Sequence, residues 1–263
     1  MTITSKTGRA KILLLGDSLT QLSSDGWGGT LADAYQRRAD VINRGMAGYN
    51  TEWYLRYADT SDVWKQGKNV KIITIFFGAN DASDPLLNPR HHVPLDDFRR
   101  NLQTLIALCG HHYPDAKVLI LSAPPVVHQQ RLDYQKTRYG NKATGQLERT
   151  LEGAEKYATA AKAVADTNSI VCIHLWSLMQ QSVGWESYFN DGLHFSREGN
   201  DFVGSAILEQ LKSSYPSLAV TPCPETGQWA NSATACPDIK QDGPYHDEID
   251  YQNPQVAFGN DAN

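Results

Sequence analysis

Four short polar blocks hold the side chains of this sequence whose types and order could do covalent chemistry. They are Gly16-Asp17-Ser18-Leu19-Thr20, Arg44-Gly45-Met46-Ala47-Gly48-Tyr49-Asn50-Thr51, Gly78-Ala79-Asn80-Asp81 and Asp191-Gly192-Leu193-His194-Phe195-Ser196. Together they contain what acyl transfer from an ester requires. A serine hydroxyl is a poor nucleophile until an adjacent base removes its proton. An imidazole, whose ordinary pKa is about 6.5, can take that proton near neutral pH and return it to a leaving group. A carboxylate beside the imidazole fixes its tautomer and stabilises its cation. Ser18, His194 and Asp191 supply these three groups. Each also has a plainer reading: a helix N-cap for Ser18, the first residue of an Asp-Gly turn for Asp191, and a surface residue for any one of eight histidines. For Ser18 alone the cap is the better reading, and the other blocks turn it toward catalysis. His91, His92, His111 and His112 lie in polar stretches and read as surface, whereas His194 has an acid three positions before it in its block. Asp17 and Asp81 read as structural acids tying their loops to nearby N–H groups.

The elements that must carry these blocks are short apolar runs alternating with longer amphipathic stretches. Lys11–Gly16, Asp40–Asn43, Val70–Phe77, Lys117–Ser122 and Ser169–His174 are rich in Val, Ile and Leu without strict alternation, as strands covered on both faces are. Helical segments are expected at Leu31–Arg38, Leu95–His112, Leu147–Thr167 and Glu198–Ser213, with Ser196 capping the last. Repeated strand–helix units of this kind build a three-layer α/β/α sandwich around a mainly parallel five-stranded sheet. In such a sheet, ligands bind outside the carboxyl ends of the strands, which is where the first three blocks fall.

In order and spacing the four blocks, GDSLT, GMAGYNT, GAND and DGLH, resemble those of the SGNH (GDSL-type) hydrolase family. The resemblance runs from residue 11 to about 213. The stretches FFGANDAS and DGLHFSREG are most similar to its isoamyl acetate-hydrolysing esterase branch. It implies a flavodoxin-like sheet order, a serine esterase working through an acyl-enzyme, no cofactor, and an oxyanion hole formed by the backbone N–H groups of Ser18 and Gly48 and the side-chain amide of Asn80. A tight turn is the plainer reading of Gly48, and a loop cap that of Asn80. The branch points to acetate and other short-chain esters, while related branches deacetylate sugars, cleave lysophospholipids or act on thioesters.

Other function classes fit less well. A flavin or nucleotide binder on this topology calls for a glycine-rich loop after the first strand, where GDSLTQ has a single Gly and no Lys. A metal hydrolase needs matched ligands, and the His91-His92 pair lacks carboxylates at ligand spacing. A silent binding module would be expected to lack Ser18, His194 or Asn80. The substrate wall is less legible. Leu22, Trp27, Tyr49, Trp53 and Phe195 lie near the blocks in sequence, with at least half of these aromatics expected in the core.

Among 263 residues, 41% are hydrophobic and 20% charged, and the formal net charge is −5. That is enough apolar surface for one large core, with no basic footprint for nucleic acid or an anionic membrane. With no long apolar run near the N-terminus, a cytoplasmic protein acting on a small-molecule ester is expected. Residues 1–215 read as the hydrolase domain and 216–263 as an irregular acidic extension. That extension holds one Lys against seven acidic side chains, for a formal charge of −6. Cys109 and Cys172 read as buried thiols; Cys223 and Cys236 could pair in an oxidising compartment.

Overall fold

A computed structural model of the chain describes residues 8–222, 236–243, 246 and 249–257. Five strands, β1 (Ala10–Gly16), β2 (Ala39–Gly45), β3 (Val70–Phe76), β4 (Lys117–Leu121) and β5 (Val171–Ile173), form one sheet in the order β2-β1-β3-β4-β5. Every pairing is parallel. The helices are α1 (Ser18–Gln21), α2 (Trp27–Ala34), α3 (Thr51–Thr60), α4 (Leu95–His112), α5 (His128–Tyr139), α6 (Leu151–Thr167), α7 (Leu175–Met179) and α8 (Arg197–Ser214).

Strand residues alternate between two cores. Ile12, Leu14, Ile72 and Leu119 pack with Trp27 and Leu31 of α2 and with Val203 and Ile207 of α8. Leu13, Leu15, Ile73 and Ile120 pack with Tyr54 of α3, Phe98 and Leu102 of α4, and Tyr157 of α6. This is the expected α/β/α sandwich. Because both faces are covered, the strands need apolar residues at every position. All of the strand residues just named have 0–1% exposure. Truncating one, Leu14 for example, to Ala would cost about 2–5 kcal/mol.

The chain grows from β1 to β2 on one side, then crosses back to β3 on the other. The carboxyl ends of β1 and β3 therefore flank the topological switch point, where open sheets of this kind leave a crevice. The GDSLT and GAND blocks leave the sheet there.

Several elements depart from the expected bounds. Helix α2 starts earlier than Leu31 and ends at Ala34; its first turn contains Gly28 and Gly29, which hide it from a propensity argument. Strand β5 is three residues long, because the chain leaves α6 through Ser169 in the left-handed region, φ 54°, before it can extend. Helices α3 and α5 were not foreseen. Among the described residues after 215, several pack against the domain. Leu218, Ala219, Val220, Cys236 and Ile239 are buried in the α2/α8 core. Tyr35 Oη donates to Leu218 O at 2.8 Å, and Arg38 Nη1 to Ile239 O at 3.2 Å. Residue 215 is thus not a packing boundary. Cys236 Sγ donates to Ser217 O at 3.4 Å; Cys223, its candidate partner, lies outside the described residues. Among the described residues no helix is long and apolar enough to cross a membrane.

Candidate active site

Ser18 follows Gly16 and Asp17 directly off β1 and is the first residue of α1. It is Asp17, not Ser18, that caps this helix, its Oδ1 accepting from Leu19 N at 2.9 Å. The plainer reading of Ser18 as a cap therefore fails, and its hydroxyl is free for another partner. That partner is His194, with Oγ and Nε2 3.0 Å apart. His194 Nδ1 lies 2.9 Å from Asp191 Oδ2. A carboxylate can only accept, so Nδ1 carries the proton, Nε2 is the acceptor, and Ser18 Oγ–H donates to it. This is the polarity a general base requires.

The loop that carries the acid and the base is held by its own backbone. Asp191 Oδ1 accepts from Leu193 N at 3.0 Å and from His194 N at 2.7 Å. Gly192, between them, has φ 78°, and a Cβ there would sit 2.4 Å from Val127 O, so no side chain fits. Burial alone would push the Asp191 carboxyl up. The hydrogen bonds from the His194 side chain and backbone and from Leu193 outweigh it and hold the carboxyl down at about 2. Asp191 is therefore ionised near neutral pH. Ser196 N-caps α8 as expected, accepting from Gly199 N at 3.2 Å.

The other two blocks meet Ser18 from the β2 and β3 side. Gly48 has φ 79° and open space where a side chain would be, the nearest atom being His91 Nε2 at 3.8 Å. Its backbone can approach a substrate closely. Asn50 caps α3, accepting from Trp53 N at 2.9 Å, and its Nδ2 donates to His91 O at 3.0 Å. Asn80 is 4% exposed. Arg149 Nη2 donates to its Oδ1 at 2.8 Å. Since a guanidinium only donates, this contact fixes which end of the amide is oxygen. The NH2 end then points the other way, 2.9 Å from Tyr49 O and 3.3 Å from Asp17 Oδ2. Asp81 accepts from Thr51 N at 2.9 Å and Thr51 Oγ1 at 2.5 Å, joining the third block to the start of α3. Both Asp17 and Asp81 are completely buried. Burial pushes Asp17 up to about 7, against the Leu19 N–H bond and reinforced by nearby Asp81; it pushes Asp81 up to about 6, against its bonds from Thr51.

The residues expected to wall a pocket separate into three groups. Leu22, 62% exposed, and Phe195 line a cavity of about 50 Å³ with Ser18, Leu19, His194 and Asn200. Tyr49 and Trp53 line a different, open cleft of about 510 Å³ with Arg56, Tyr57, Thr60 and Arg90. Trp27 is a correction: it has no exposed surface, its indole N–H donates to Leu19 O at 2.8 Å, and its ring packs on Phe76. Closeness in sequence placed it near Ser18, but the first turn of α2 aims it into the core. A second correction concerns His91 and His92, which are half-buried. His91 packs against Trp53 and bonds Asn88 Oδ1; His92 bonds Ser83 O. Missed altogether was the set of buried Arg131 and Arg149 with half-buried Glu148, around Asp191 and Asn80. Charged residues in polar stretches carry no sequence signal that distinguishes them from a solvated surface.

The GDSL-like lipase/acylhydrolase family profile matches residues 14–202. A GDSL esterase/lipase of Arabidopsis thaliana is 35% identical over 254 residues, covering 95% of this chain and 98% of the relative. The human isoamyl acetate-hydrolyzing esterase 1 homolog is 34% identical, covering 87% of this chain and 90% of its own length. Among solved structures, a lipase/acylhydrolase from Enterococcus faecalis superposes with a TM-score of 0.60 at 27% identity, covering 78% of this chain and 96% of that one. An acetylxylan esterase from Geobacillus stearothermophilus gives 0.59 at 17% identity, covering 79% and 96%, and shares the fold.

Proposed function

The chain belongs to the GDSL-like lipase/acylhydrolase family and is a carboxylic ester hydrolase; from that premise we propose that it cleaves short-chain esters through an acyl-enzyme on Ser18, with His194 as general acid–base and Asp191 as its orienting acid. The observation that carries this reading is the continuous chain from Ser18 Oγ to His194 Nε2 at 3.0 Å and from Nδ1 to Asp191 Oδ2 at 2.9 Å, opening on a cavity. Ser18 Oγ attacks the ester carbonyl carbon as its proton passes to His194 Nε2. The carbonyl oxygen becomes an oxyanion, received by the N–H groups of Ser18 and Gly48 and by Asn80 Nδ2. Collapse breaks the bond to the alcohol oxygen, which takes the proton from His194. Water then attacks the acyl-enzyme by the same route, releasing the carboxylic acid and restoring Ser18.

Cavity size supports the short acyl group. About 50 Å³ over Ser18 is far below the ~300–1,000 Å³ of ordinary ligand pockets, and Phe195 and Leu22 make its wall apolar. The cleft at Tyr49 and Trp53 favours a second reading of the alcohol half, in which a ring such as an acetylated sugar lies on the aromatic faces. The test is hydrolysis of p-nitrophenyl esters of increasing acyl length, wild type beside Ser18→Ala. Rapid cleavage of the acetate, falling with chain length and abolished in the variant, is the expected result. Equal turnover of both proteins would overturn the assignment. A preference for acetylated sugars over simple acetates would move the substrate to the second reading.

A further inference from the structure

The two arms of the site, the acid that orients His194 and the amide that faces the oxyanion, are joined behind the reactive surface by three charged residues. Arg131 Nη1 lies 3.3 Å from Asp191 Oδ2, the same oxygen that holds His194 Nδ1. Arg131 Nη2 pairs with Glu148 Oε1. That oxygen is also 3.2 Å from Arg149 Nη1, and Gln135 Nε2 donates to Glu148 Oε2 at 2.7 Å. Arg149 continues the chain, with Nη2 to Asn80 Oδ1 at 2.8 Å and Nε to Ala79 O at 2.9 Å. Arg131 and Arg149 are 5% and 8% exposed. The two buried guanidiniums share Glu148, and Asp191 supplies the second negative charge, so their charges are compensated only while all four groups stay in place.

We propose that Arg149 is a positioning residue for ester hydrolysis: it presents Asn80 Nδ2 to the developing oxyanion, and Glu148 couples it through Arg131 to the triad acid. The proposal rests on the role given to Asn80 above. An amide can rotate end for end at little cost in an open loop. Here the rotation would set its NH2 against a group that only donates, so Arg149 locks the NH2 end toward Tyr49 O and Asp17 Oδ2, next to Ser18 in the chain. Drawing electron density toward Oδ1 also makes those N–H groups better donors. Of the two acceptors that Nδ2 faces in the free enzyme, Asp17 Oδ2 at 3.3 Å is the looser. An oxyanion would replace that contact and leave the bond to Tyr49 O.

The test is a double-mutant cycle on acetate hydrolysis, with Arg149→Met and Asn80→Ala alone and combined, reading kcat and KM. Asn80→Ala is expected to lower kcat by about 100-fold. Arg149→Met is expected to lower it by about 10- to 100-fold with KM little changed, and by less than about threefold once Asn80 is already Ala. The same fold loss in both backgrounds would mean that Arg149 serves only the fold, and the proposal falls. Full kcat in Asn80→Ala alone would remove Asn80 as an oxyanion donor, and the proposal with it, while Ser18-dependent hydrolysis stood. Should Arg149→Met not fold, Arg149→Lys completes the cycle. It keeps a cation beside Glu148 but cannot reach Ala79 O and Asn80 Oδ1 together.

Discussion

Asp17 and Asp191 both stand within three residues of a reactive side chain, yet their surroundings drive them in opposite directions. Asp17, beside Ser18, is fully buried and has a single backbone N–H and the distant Asn80 amide for partners. Burial wins, and its carboxyl moves up to about 7. Asp191, before His194, is less deeply placed and accepts from two backbone N–H groups, the imidazole and Arg131. Those bonds overcome its burial and take it down to about 2. The contrast matches what the proposed roles require of each position. The acid behind a base must be ionised to stabilise the imidazolium. A full negative charge beside the place where the proposed oxyanion forms would oppose it, so a carboxyl whose pKa is raised by burial is the less harmful neighbour.

The largest effect should come from breaking the ionised side. Asp191→Asn puts an amide where a carboxylate orients His194, and kcat is expected to fall by about 10³- to 10⁴-fold. Asp17→Asn keeps an oxygen for Leu19 N and should cost about tenfold or less at pH 6, the scale of one hydrogen bond. Comparable losses from both in acetate hydrolysis would erase the distinction.

Stability against pH sharpens the same comparison. Asp191 has a folded pKa below its ordinary value of 3.8, so its contribution, about 2 kcal/mol, is complete above pH 4 and lost as pH falls toward 2. Asp17 and Asp81 have folded pKa values above 3.8. Their contribution is complete below pH 4 and is lost as pH rises to about 6 or 7. These two groups therefore act to lower the melting temperature between pH 4 and pH 7, against the opposite pull of His91, His112 and His174, and Asp17→Asn is expected to make the slope over that range less negative. A slope unchanged by the substitution would show that Asp17 is already ionised in the folded protein. The smallest effect is expected at Thr51→Val, which removes the hydroxyl bond to Asp81 Oδ1 together with the acceptor of Asn101 Nδ2. Urea denaturation at pH 7 should show a loss of about 1 kcal/mol, and no loss would mean that Asp81 does not depend on it.

What the sequence disclosed follows from where its signals are apolar or local. Helix α4 has the expected bounds, Leu95–His112, because Phe98, Leu102, Leu105 and Cys109 fall on one buried stripe. Helix α5 was invisible for the converse reason: the residues it buries are Arg131 and Gln135, which a search for apolar periodicity counts as solvent-facing. The same blindness hid Glu148 and Arg149. The four blocks were legible because each is contiguous, and because strand ends in a parallel sheet converge on one rim. Which apolar side chains face the rim was not, since Trp27 and Leu22 are five residues apart yet one is sealed in the core and the other is exposed.

The packing of the C-terminal segment bears on how the protein is made. Ile239 and Leu218 seat against Arg38 and Tyr35, and Asp242 pairs with Arg9, so each contact spans more than 180 residues of chain. Synthesis proceeds from the amino end at ~5–20 residues per second. The edge formed by α2 and β2 therefore waits on the ribosome without its cover, and Ser18 waits without His194. The nascent polypeptide keeps that apolar edge uncovered until residues 218–242 emerge, which at this rate is about a few seconds after His194, the proposed base.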